Sequence, residues 1–131
     1  MACFFLDLDG TLLEHGTTNL LPGALEFLKQ IMQRGDQIVF TTRRGSDYPV
    51  GHVYSRGMTE RFLKSLEKEH GIVAHATIFD VHSPRIVIND EGCHAVNVCV
   101  NADCKFDAGQ LELIAKSQRT RVSILPAQEP T

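Results

Sequence analysis

Two carboxylates stand two residues apart where an apolar run ends: Phe4-Phe5-Leu6-Asp7-Leu8-Asp9-Gly10-Thr11-Leu12. In an extended chain, side chains at i and i+2 leave on the same side, so Asp7 and Asp9 address one region. Gly10 lets the backbone turn sharply and come close to a ligand. Thr11 adds a hydroxyl and a backbone N–H. Like charges this near raise the cost of ionising both acids, and a divalent cation is the usual remedy. Hard oxygen ligands with retained waters suit Mg²⁺.

The elements that position these residues follow from the hydrophobic pattern. Residues 3–8 form a short apolar strand ending in acids. Gly10, Gly16 and Asn19 mark a loop. Pro22 and Gly23 open a helical pattern with apolar Leu25, Leu28, Ile31 and Met32, and Gly35 closes it. Residues 37–41 form a second apolar strand. Residues 43–57 are polar and rich in Gly and Pro, which marks a long loop. Residues 58–70 read as an amphipathic helix with Phe62, Leu63 and Leu66 inward and Gly71 as its stop. Residues 76–80, 85–89 and 95–100 are three further strands, and 111–116 a short helix. Unbroken apolar strands alternating with helices predict an α/β, Rossmann-like three-layer sandwich: a mainly parallel sheet of about five strands, covered on both faces. Ligands of such sheets sit beyond the carboxyl ends of the strands. The polar residues there are Asp7 and Asp9, Thr41 and Thr42, and Asn89 and Asp90.

Size and charge narrow the function classes. The 131 residues make one domain, 1–131, with a core over about 3–116 and a polar tail, 117–131, that frays. Lys and Arg number 13 against 16 Asp and Glu, a net charge of −3, which argues against a protein built to grip a nucleic-acid backbone. No apolar run reaches the roughly 18–20 residues of a membrane span. Asp7 comes too early for a secretion signal. Cys3, Cys93, Cys99 and Cys104 form no CxxC pair and read as reduced thiols of a cytoplasmic protein. The six histidines show no metal-site spacing.

The stretch Asp7-Leu8-Asp9-Gly10-Thr11 closely resembles motif I, DxDGT, of the haloacid dehalogenase (HAD) superfamily. A response-regulator receiver also carries acids after its first strand, and Asp80 follows the third. Those acids are adjacent, however, and Gly10-Thr11 has no place in that scheme. The HAD resemblance implies Mg²⁺-dependent phosphatase chemistry through an aspartyl-phosphate on Asp7, with Asp9 as acid and then base. Dehalogenases of the superfamily lack an acid at the second position, so Asp9 points to phosphoryl chemistry.

The later motifs follow from the same resemblance. Ile38-Val39-Phe40-Thr41-Thr42-Arg43-Arg44 looks like motif II, whose hydroxyl contacts the transferring phosphoryl group. Alignment with the Thr-Gly-Arg form selects Thr42 over Thr41. Ile86-Val87-Ile88-Asn89-Asp90 resembles motif IV, with Asn89 in place of its first acid. Asp90 then joins Asp7 and the backbone carbonyl of Asp9 as the Mg²⁺ ligands, and Glu91 is solvated. Motif III supplies a cation, and Arg85 of Ser83-Pro84-Arg85 is its counterpart here, with Lys64 as the runner-up.

The gaps between motifs bear on substrate. Asp9 and Thr42 are 33 positions apart and Thr42 and Asp90 are 48, too few for an inserted cap domain. A capless site is open: its expected partner is a phosphorylated substrate, a small molecule or a macromolecular end, and a second copy of the chain could close it. Beyond Gly10, Thr11 and Thr41 at the phosphoryl group, the loop residues Arg43, Arg44 and Arg56 are expected to bind substrate. A binding module that has lost turnover, or a phosphotransferase, are the alternatives.

Overall fold

A computed structural model of the chain describes residues 1–93 and Ala95. Five elements run in order: β1 (Cys3–Asp7), α1 (Ala24–Gln33), β2 (Gln37–Thr41), α2 (Arg56–His70) and β3 (Ala76–Ile78). Local chemistry sets the helix ends. Before α1, Gly23 sits in the left-handed region at φ 84°, where a side chain would be strained. Ser55 caps α2 by accepting the Met58 N–H at 3.3 Å. Gly71, at φ 70°, ends α2 by donating its N–H to the Glu67 carbonyl.

The three strands are parallel in the order β1-β2-β3. Asp7 pairs with Thr41, and Thr41 with Ile78. Both crossovers step in the same direction along the sheet. Right-handed crossovers then place α1 and α2 on one face. Burial agrees. Phe4, Leu6, Ile38 and Phe40 share a core with Ala24, Phe27, Leu28 and Ile31 of α1 and Leu66 of α2. Phe4 and Phe27 meet edge to face at 6.3 Å between centroids. Each such side chain contributes about 1.5–3 kcal/mol through burial. Leu8, Leu12 and Leu13 extend this core under the turn that carries Asp9. The floor of the site is therefore packed.

The expected burial of both faces is not seen among the described residues. Along β1 burial alternates, with Phe4 and Leu6 inward and Cys3 and Phe5 outward, and Phe5 is 65% exposed. The expected strand at 85–89 does not form either. Ile86, Val87 and Ile88 are exposed, Ile88 at 92%. Their β-branched composition favours a strand, but no described strand pairs with them, and that preference acts only within a packed sheet. β3 stops short of Asp80 because that residue turns the chain at φ 63°. The expected strand at 95–100, helix at 111–116 and tail at 117–131 lie outside the described residues. No helix among the described residues is long and apolar enough to cross a membrane.

Candidate active site

Asp7 closes β1 and stays open to solvent, with its side chain 30% exposed. The Thr11 hydroxyl donates to its Oδ2 at 3.2 Å. Arg85 Nη1 lies 3.1 Å from its Oδ1. The second Arg85 nitrogen donates to the Val81 carbonyl at 3.3 Å, which steadies the side chain. Of the two cations considered for this position, Arg85 is thus the one beside Asp7. Lys64 instead lines a groove with Leu63, Glu67, Ile72 and Thr77.

Asp9 is held very differently. Arg44 grips it with a two-point fork, Nε to Oδ2 at 2.9 Å and Nη2 to Oδ1 at 2.7 Å. Arg44 is 1% exposed. Its Nη2 also donates to the Thr17 carbonyl at 2.6 Å, and its Nη1 to the Val53 carbonyl at 3.3 Å and the Thr59 hydroxyl at 3.5 Å. The guanidinium carbon sits 5.1 Å from the centre of the Tyr54 ring, a cation–π arrangement. Burial, and then the Asp9 carboxylate, push the Tyr54 phenol above its ordinary pKa. The expectation that Arg44 contacts substrate is corrected here. Its charge is spent on Asp9 and its donors on carbonyls inside the protein.

The threonines separate by depth. Thr41 is half-buried and in direct register with Asp7, so both side chains leave the same face of the sheet. Thr42 is fully buried, and its hydroxyl accepts the Arg44 N–H at 3.1 Å. The backbone beyond is pinned by Asp80, whose carboxylate accepts Ser46 N–H at 2.8 Å and whose N–H donates to the Arg44 carbonyl at 2.9 Å. Gly45 must be glycine, since a Cβ there would run into the Asp80 carboxylate.

The other loop arginines have local partners. Arg43 pairs with Asp47 at 2.9 Å. Arg56 lies 3.7 Å from Glu60 and over the Phe79 ring at 4.7 Å. Tyr48, His52 and Tyr54 form a triangle with centroid separations of 5.1–5.5 Å. Three residues have parts that the sequence did not assign to them: His15, Tyr54 and Asp80. The His15 ring covers Gly10, which is left-handed at φ 80°. Nothing in local pattern marks these residues, since each reaches the site across a turn or between strands.

Asp90 has a local partner. It is exposed, and its carboxylate accepts the N–H of Glu91 at 2.8 Å. Asn89 donates to the Glu91 carbonyl at 2.8 Å. Among the described residues, no three His, Cys, Asp or Glu side chains are gathered as a metal site. The 85–89 segment that leads to Asp90 is not paired with a described strand. The exposed Asp7 carboxylate still fits Mg²⁺, which needs only one or two carboxylates besides waters and substrate phosphate.

The chain matches the haloacid dehalogenase-like hydrolases over residues 4–88, well over half of its length. It belongs to that family. Among solved structures it is similar to a D,D-heptose 1.7-bisphosphate phosphatase from B. bronchiseptica complexed with magnesium and phosphate. That similarity has 20% identity and a TM-score of 0.49, and covers 91% of this chain. The chain spans 64% of that structure's length. It is also similar to a protein from Vibrio cholerae, at 20% identity and a TM-score of 0.45, over 90% of this chain and 99% of that one. No curated protein matches.

Proposed function

We propose that the chain is a phosphatase that hydrolyses a phosphomonoester through an aspartyl-phosphate on Asp7. The observation that carries this reading is the contrast at β1: an accessible carboxylate flanked by a cation and a hydroxyl, with a second carboxylate held rigidly two residues on. An accessible carboxylate beside a positive charge is equipped to attack phosphorus. Arg85 and Thr11 orient Asp7, and Arg85 offsets charge gathering on the phosphoryl oxygens. Thr42, which the sequence selected for the phosphoryl contact, is buried and its hydroxyl accepts the Arg44 N–H, so the Thr41 hydroxyl, in register with Asp7, takes that contact instead. Asp9 protonates the leaving oxygen and then takes a proton from the water that hydrolyses the intermediate. A Mg²⁺ held by the Asp7 carboxylate and the Asp9 carbonyl would supply further charge neutralisation and orientation.

The site takes its substrate without a cap domain, and the 43–56 loop meets the non-reacting part through Arg43 and Arg56. Phosphate release from a panel of phosphomonoesters, with and without Mg²⁺, tests the reading. Release that needs Mg²⁺ and vanishes in Asp7→Asn supports it. No release from any ester favours the second reading, a binding module, which Asn89 in place of the first acid before Asp90 motivates.

A further inference from the structure

Arg44 is a buried cation that the proposed chemistry does not itself require. All five of its N–H donors have acceptors: two on Asp9, and one each on Thr17, Val53 and Thr59. Those acceptors lie on three segments, namely the loop after Asp9, the 43–55 loop and α2. Its own backbone is fixed at both ends, by Thr42 and by Asp80. A buried ion pair adds little net stability over apolar packing. What a fork adds is direction, because two parallel bonds fix the plane of a carboxylate where one bond leaves it free to swing. The fork engages one lone pair on each Asp9 oxygen and leaves another for a proton.

We propose that Arg44 is a positioning residue that holds Asp9 for proton transfer, and that this hold fits the site to phosphate esters of poor leaving groups, such as alkyl alcohols. The proposal rests on the phosphatase reading above. In the first step an Asp7 oxygen bonds to phosphorus while the bond from phosphorus to the alcohol oxygen breaks. The electron pair stays on the alcohol oxygen, which takes the proton of Asp9. Asp9 is left as a carboxylate matched by the Arg44 guanidinium. In the second step a water oxygen bonds to phosphorus, its proton goes to Asp9, and the bond to Asp7 breaks. An alkoxide is too basic to leave without that proton, whereas a nitrophenolate leaves unaided. Rigid placement of the acid therefore matters for the first class and hardly for the second.

The leaving-group contrast is the test. kcat/KM on p-nitrophenyl phosphate and on glycerol 3-phosphate is measured for wild type, Arg44→Lys, Arg44→Met, Asp9→Asn and the double variant Asp9→Asn/Arg44→Lys. Melting temperatures are recorded for each. Loss of a positioned acid predicts a fall of about 100-fold or more on the alkyl ester in the Arg44 variants, and under about tenfold on the aryl ester. The double variant should be no worse on the alkyl ester than Asp9→Asn alone, because Arg44 acts through Asp9. Equal losses on both esters, additive losses in the double variant, or an Arg44→Lys protein that does not fold would each overturn the proposal. A wild-type protein that hydrolyses neither ester would instead remove the phosphatase reading, which keeps the two failures apart.

Discussion

Asp7 and Asp9 carry the same side chain two residues apart, yet the fold treats them in opposite ways. Asp7 keeps one hydroxyl and one half-exposed cation as partners and remains open to solvent. Asp9 is clamped by a buried guanidinium whose other bonds reach three separate segments. The difference follows from where each stands. Asp7 is the last residue of β1, at the mouth of the sheet. Asp9 lies in the turn above Leu8, Leu12 and Leu13, which are buried and fix its backbone. An attacking group has to be reachable, whereas a proton donor has to be aimed. Under the proposed chemistry one motif would meet both needs, because a single intervening residue moves the chain from strand to turn.

The largest expected effect breaks the open member of the pair. Asp7→Asn should lower phosphate release by about 10³-fold or more, since an amide does not replace the attacking carboxylate. The melting temperature should hardly change, because the swap is nearly isosteric and the side chain is partly exposed. Steady-state kinetics beside a thermal melt check both halves. Retained activity would move the nucleophile elsewhere. Next comes its cation. Arg85→Ala should lower kcat/KM by about 100-fold, comparable to removing one donor from an anion-stabilising site. Arg85→Lys should recover part of the loss, because it restores the charge without the fork. If Lys64→Ala is the more damaging of the two, the cation assignment is wrong.

How far the site was legible in the sequence divides along the same line. The placement of Asp7, Asp9 and Gly10 at the end of β1 was readable because they lie within a few consecutive residues, and local spacing fixes local geometry. Both helices and the first two strands were readable for a similar reason, through apolar periodicity and glycine stops. Arg44 was visible as a residue but not in its role. Its partners are 9 to 35 positions away, and no local pattern separates an arginine that faces substrate from one that turns inward. The parallel α/β sheet was legible, but among the described residues only one of its faces is covered. The apolar run of β1 looked buried on both sides, but two crossovers in one direction put both helices on the same side. The 85–89 segment has strand composition, and composition alone does not supply a pairing partner.

A smaller effect tests the turn that joins the two acids. Gly10→Ala places a Cβ at φ 80°, against the imidazole of His15. The left-handed conformation costs about 1 kcal/mol or more for a side chain. Activity should fall about tenfold, and a double change, Gly10→Ala with His15→Ala, should recover part of it by removing the collision. No recovery would show that the backbone strain acts alone.

The smallest expected effect concerns a third acid, Asp90. Asp90 has the residue type of a metal ligand and follows an apolar run, as Asp7 does. Its carboxylate, however, caps the N–H of Glu91 in an exposed turn, and Ile86 to Ile88 before it are not held in the sheet. A ligand acts only where the fold brings it. Magnesium can be held by one or two carboxylates with water and substrate completing the shell. Asp90→Ala should therefore change the Mg²⁺ concentration for half-maximal phosphate release by less than about twofold, while Asp7→Asn abolishes the signal. The measurement is a Mg²⁺ titration of phosphate release at saturating substrate, repeated with Asn89→Ala to separate the cap on the turn from the metal. A tenfold rise in the Mg²⁺ requirement for Asp90→Ala alone would mean that metal draws the 85–91 segment in beside Asp7. The nucleophile would then share its cation with a third carboxylate, and the contrast between an open Asp7 and a clamped Asp9 would hold only in the metal-free chain.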